Sequence, residues 1–148
     1  MMLIHLLIGV ILGKVFGSYF FFILGSLFPD IDHVYIAIKN KLWKSKRFWD
    51  SIIYEKKYHI RYKTPLFHSL LGLAVFTSIM FIFSMRGALF FSVAYFLHLL
   101  MDWADIDIKY YLYPSKIKFK GFLPIWSNFE KISTIIIAII MILLLSFY

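Results

Sequence analysis

His98 and Asp102 stand four residues apart in an otherwise apolar run between Phe96 and Trp103. In a helix both project from one face, one turn apart. An imidazole and a carboxylate on a buried stripe are costly unless something satisfies them. A divalent metal ion would do so, because nitrogen and oxygen ligands at this spacing suit one. A His–Asp hydrogen bond tying two membrane helices together would do so as well. Residues of the same chemistry recur along the chain. Pro29-Asp30-Ile31-Asp32-His33 sets three ionisable groups at the end of an apolar stretch, with Asp30 and Asp32 pointing the same way if the segment is extended. The plainer reading there is a polar turn in which Asp30 caps the next helix. His59 and Arg61 lie in a basic stretch ahead of His68-Ser69, and His5 interrupts the apolar N-terminal run.

The elements that must position these residues belong to a membrane protein. Of the 148 residues, 61% are hydrophobic and 16% charged, with a mean hydropathy of +0.79, against about 45–50% and about 25% in soluble domains. The length suits one domain. With no cysteine, disulfides, iron–sulfur clusters and thiolate metal sites are excluded. A metal would be held by His, Asp or Glu, which points to Zn, Mn, Fe(II) or Mg. The net charge of +8 is uneven: nine Lys/Arg and two acids lie from Lys39 to Lys63, and five further lysines from Lys109 to Lys131. Trp43, Phe48, Trp49, Tyr54, Tyr58 and Tyr62 interleave the first basic stretch. Nucleic acid could be drawn to such a surface. Membrane topology explains it more simply, as basic cytoplasmic loops lie against anionic headgroups. The N-terminus lacks a basic n-region and a cleavage site, and is read as retained structure.

Residues 2–28 are too long for one straight crossing at 1.5 Å per residue. They form either one tilted span or two short helices hinged near Gly13–Ser18, and the hairpin is preferred because it returns His5 toward Asp30. Pro29 predicts that the second helix stops near Phe28. Thr64 and Pro65 predict the N-cap and first residue of a transmembrane helix over 66–85, with His68 kept neutral in its first turn. Arg86-Gly87 predicts a tight turn, residues 88–103 a return helix, and residues 132–147 an anchor. Asp105 and Asp107 read as solvated or supporting groups rather than ligands. The fold expected is an all-α, polytopic bundle: a short N-terminal helical hairpin plus about three transmembrane helices, in a single domain with a core over 1–114 and an anchor over 132–148. Charge places residues 39–63 and the site on the cytoplasmic side of the cell membrane. His33, His59, His68 and His98 then fall on one face, joined by His5 through the hairpin and by Asp30, Asp32 and Asp102. Clustered ligands offset one another's burial cost. Arg61 suits a phosphate by its bidentate fork.

The order His5, Pro29-Asp30-Ile31-Asp32-His33, His59…Arg61…His68-Ser69, His98-x-x-x-Asp102 and Leu112-Tyr113-Pro114 resembles the LexA-controlled, membrane-bound metal-dependent hydrolases (YdjM-like). Two departures stand out: His59 and Arg61 are not adjacent, and Pro65-Leu66-Phe67 separates Thr64 from His68. The resemblance implies a helical membrane-bound fold with a divalent metal site. That family has been likened to zinc-dependent phospholipases C and single-strand-specific zinc nucleases, which implies phosphodiester hydrolysis. The expected ligands are His5, Asp30, His33, His59, His68, His98 and Asp102, with Asp32 and Arg61 as catalytic residues and zinc as the leading metal. The expected function is hydrolysis of a phosphoester, such as a phospholipid, in the bilayer. The alternative is a non-enzymatic membrane protein whose His/Asp cluster binds or transports an ion or packs helices.

Overall fold

A computed structural model of the protein describes residues 2–41, 63–124 and 127–147. His59, Arg61 and most of the basic aromatic stretch lie outside the described residues. Helices α1 (Met2–Phe16) and α2 (Tyr19–Leu27) pack as the expected hairpin. The chain reverses at Gly17, whose φ of +65° suits a residue without Cβ. Ser18 N–H closes the end of α1 by donating to the Gly13 carbonyl at 2.9 Å, the helix-ending bond that a left-handed residue permits.

The second α-helix ends at Leu27, with Phe28 as its C-cap, as Pro29 predicts, but the chain does not leave the helical path there. The chain tightens into a 3₁₀ turn over Phe28–Asp30 and continues as α3 (Ile31–Lys39). Proline fits because it occupies the start of that turn, where its φ is suitable and its missing N–H breaks little. Asp30 and Asp32 therefore lie on a helical path and not on an extended one. Asp30 makes no side-chain cap; its carboxylate turns to the histidines instead.

The next helix among the described residues, α4, spans Leu70–Phe83 and not 66–85. Ser69, rather than Thr64, is its N-cap, accepting from Gly72 N–H at 3.1 Å. His68 thus precedes the helix, in a run of turns from Pro65. The reversal into α5 (Met85–Asp102) is made at the single extended residue Ser84, which caps Gly87, so Arg86 and Gly87 sit inside the first turn of α5. Beyond α5, β1 (Ile108–Lys109) pairs antiparallel with β2 (Phe119–Lys120), a small ribbon that hydropathy alone did not suggest. The last helix, α6, covers Asn128–Phe147 and begins earlier than expected.

Helix α5 is central. It packs on α2 and α4, while α1 packs on α2 and α6. Phe91, Tyr95 and Leu99 of α5 form the core with Leu24, Phe28, Leu73, Phe76, Met80 and Tyr111. Gly25 lets α2 approach α5 closely, since a Cβ there would run into the Phe91 backbone, as at membrane helix crossings built on small residues. Among the described residues two helices are long and apolar enough to cross a bilayer, Tyr19–Lys39 and Asn128–Phe147. Helix α4, with 14 residues, rises only about 21 Å against about 30 Å of hydrocarbon. Phe81, Ile82 and Phe83 of α4 and Ile31, Val34, Tyr35 and Ile38 of α3 are exposed, apolar faces that fit lipid better than water.

Candidate metal centre

The polar residues of the bundle collect at one end. His5 comes from the start of α1, Asp30, Asp32 and His33 from the 3₁₀ turn and α3, His68 from the turns before α4, and His98 and Asp102 from the end of α5. The hairpin brings His5 back to this end. His5, His68, His98, Asp32 and Asp102 are each at most 2% exposed, so whatever satisfies them must be inside the protein.

Asp30 and Asp102 each bring one carboxylate oxygen near the Nε2 atoms of His68 and His98. The Asp30 Oδ1 atom is 3.6 Å from His98 Nε2 and 3.8 Å from His68 Nε2. Asp102 Oδ2 is 3.6 Å from both of the same nitrogens. Two ligands of a tetrahedral ion bound at about 2.1 Å lie roughly 3.4 Å apart, so these separations are those of a ligand cage, a few tenths of an ångström wide. They are too long for good hydrogen bonds. Consistent with this, both nitrogens of His5 and His68 and Nε2 of His98 are buried without a hydrogen-bond partner. Orphaned buried groups cost about 1–3 kcal/mol each, and a cation bound with Asp30 and Asp102 would satisfy two of them, His68 Nε2 and His98 Nε2. The residues present fit a divalent ion.

The surrounding shell aims the rings. His98 Nδ1 lies 2.7 Å from the Ser26 carbonyl; a carbonyl only accepts, so Nδ1 carries the proton and Nε2 offers a lone pair to the centre. Ser26 lies three residues before Pro29, the residue with no N–H to give it in the 3₁₀ register. Proline thus leaves open the carbonyl that orients His98. Asp32 stands behind the rings, 3.2 Å from His68 Nδ1 and 3.0 Å from His33 Nδ1, and accepts Thr64 N–H at 2.6 Å. His33, its side chain 30% exposed, also meets Asp30 Oδ1 at 3.2 Å. His5 stacks on His98 with centroids 3.8 Å apart and meets Asp102 Oδ1 at 3.3 Å. Three overlapping groups have ligand atoms close enough for an ion: His5 with Asp30 and His98, Asp30 with His33 and His68, and His68 with His98 and Asp102.

Sequence reasoning missed Lys63. Its ammonium donates to Asp102 Oδ2 at 2.6 Å and lies 3.2 Å from Asp107 Oδ2 and 3.6 Å from Asp105 Oδ2. Burial works against its charge, but Asp102, Asp107 and Asp105 outweigh it and hold the ammonium above the ordinary lysine range. Asp105 is buried, and the Asp107 side chain is only 8% exposed, so neither is freely solvated. Burial pushes Asp105 up to about 7, against the pull of Lys63. Lys109 donates to the Asp105 and Asp107 carbonyls and pairs with Asp107 Oδ1 at 2.9 Å. Tyr111 O–H donates to the Leu99 carbonyl at 3.0 Å, fixing the ribbon to the end of α5. The one signal for Lys63 was its place between an expected ligand stretch and Thr64, where it read as part of a solvated charge run.

Together these features define a helical membrane protein with a buried His/Asp cluster able to hold a metal ion. The family of YdjM inner membrane proteins matches over residues 1–148, and the chain belongs to it. Neither the curated proteins nor the solved structures contain a match.

Proposed function

We propose that the protein is a membrane-embedded, metal-dependent hydrolase acting on a phosphoester. The observation that carries this reading is the close approach of Asp30, His68, His98 and Asp102 atoms at 3.6–3.8 Å, buried, fixed from behind and supplied by three separate stretches of chain. A binuclear arrangement would draw on His5 and His33 as well. A divalent ion there, zinc being favoured by the nitrogen–oxygen donor set, supplies Lewis acidity toward a phosphoryl oxygen and lowers the pKa of water. The chain's own residues do the rest. Ser26 and Asp32 hold the ligand rings in one tautomer and orientation. Asp32 therefore acts as a positioning residue, and His33 bridges it to Asp30 at the exposed edge. Arg61 is assigned the phosphate for its bidentate fork, and His59 is kept as a further candidate ligand on the sequence alone.

In this reading the 1–148 chain is a single domain, with the centre and the basic stretch at the cytoplasmic face of a multi-pass protein. The substrate is a phosphoester within reach of the bilayer surface, a phospholipid being the simplest. The resemblance read from the sequence motifs implies the same reaction class. The test is metal content by elemental mass spectrometry on detergent-purified protein, paired with turnover of a chromogenic phosphodiester and of phospholipid. The wild type is expected to retain a divalent metal and to hydrolyse at least one of these. A folded His98→Ala/Asp102→Ala variant should lose both properties. Undiminished hydrolysis in Asp102→Ala would overturn the assignment, and bound metal with ion flux into proteoliposomes but no turnover would favour transport.

A further inference from the structure

Lys63 occupies an unusual position for a lysine. Its side chain is 15% exposed, and its ammonium is surrounded by three carboxylates. Its shortest contact is to Asp102 Oδ2, the same atom that faces His68 Nε2 and His98 Nε2 in the cage. The ribbon side does not depend on Lys63 alone for neutralisation, because Lys109 already pairs with Asp107 and donates to two carbonyls there. Asp105 and Asp107 give the Lys63 ammonium a seat that is not part of the cage.

We propose that Lys63 is a tethered competitor for the ion, its ammonium sharing Asp102 Oδ2 with the metal centre and thereby weakening the centre's hold. This inference rests on the metal-centre reading. The physical grounds are two. An oxygen engaged in a short charge-assisted hydrogen bond has less electron density to give a metal, and an ammonium one atom away repels a dication through a poorly screened interior. Lys63 thus keeps the ion exchangeable. When the ion is present, Asp107 and Asp105 hold the ammonium aside; when it is absent, the ammonium partly neutralises the carboxylates that would otherwise face one another. A residue serving only to hold the ribbon against the helices would have the opposite signature, since its removal would loosen the centre.

The sign of the effect is the test. Full-length protein is loaded with Zn²⁺ in detergent, and retention is measured by competition with a chelating dye. Far-UV circular dichroism and monodispersity report folding. Lys63→Met removes the charge at nearly constant length and is expected to bind Zn²⁺ about tenfold more tightly or better. Lys63→Arg keeps the charge and should stay within about threefold of wild type. Unchanged or weaker retention in folded Lys63→Met overturns the proposal. Where that variant does not fold, Asp107→Asn decides: removing one of the ammonium's other seats drives it toward Asp102, so Zn²⁺ retention should fall severalfold, and unchanged or tighter retention overturns the proposal. A wild-type protein that takes up no Zn²⁺ would overturn the metal centre itself, whereas a wild type that loads normally beside an indifferent Lys63→Met would overturn only the role of Lys63.

Discussion

Asp32 illustrates how much of a candidate metal centre consists of residues that stand behind its candidate ligands. Its carboxylate contacts His68, His33 and the Thr64 N–H from behind the cage. Asn at this position has nearly the same shape but no charge, and only one of its two ends accepts, so it cannot serve Thr64 N–H and His68 on one side and His33 on the other as the carboxylate does. Asp32→Asn should fold and yet bind Zn²⁺ about 10- to 100-fold more weakly, the usual cost of losing such support, as read by the same dye competition. Asp32→Ala should weaken it at least as much. Indifference of metal affinity to both would mean that His68 is oriented by something else. At this scale the sequence was informative about ligand types and poor about roles. Asp32 and Asp30 sit two residues apart in one short motif, yet one faces the cage and the other the backs of the rings. That division depends on the 3₁₀ turn, which the presence of Pro29 made hard to foresee.

Elements were legible where a chain-terminating signal was unambiguous. The Gly17-Ser18 break gave the hairpin, and the hairpin gave the return of His5. Helix starts were misjudged where two capping residues competed. Thr64-Pro65 is a good N-terminal signal in isolation, but Ser69 wins because its hydroxyl reaches Gly72 N–H while Thr64 remains in the turns that carry His68. Ser69→Ala should therefore destabilise α4 by about 1 kcal/mol, measurable as a lower unfolding midpoint in a detergent titration, whereas Thr64→Ser should leave helix stability unchanged. The ribbon of β1 and β2 escaped notice for a different reason. Each strand has two residues, too short to show any alternation, and its anchoring by Lys109 and Tyr111 is long-range.

At the scale of the molecule, the centre joins four parts of the chain that are otherwise linked by helix packing. Binding an ion to the folded state alone stabilises that state by about 1.4 kcal/mol for every tenfold excess of ion over its dissociation constant. Unfolding temperature should accordingly rise with free Zn²⁺ in the wild type, and chelation should lower it reversibly. The His98→Ala/Asp102→Ala variant should show no such dependence. A temperature that is the same with and without ion in wild type would mean that the cluster is held by packing alone. The membrane character of the whole was plain from composition, because 61% hydrophobic residues leave few alternatives. The number of crossing helices was not, since α4 is shorter than its apolar run and α5 carries Arg86, His98 and Asp102 within an otherwise apolar helix.

The arrangement of the cage along the chain also sets a timetable. His5, Asp30, His68 and the pair on α5 are made in that order, and α6 is made last. A nascent chain therefore has no complete cage until the end of α5 has left the ribosome, but it needs nothing from α6 to close one.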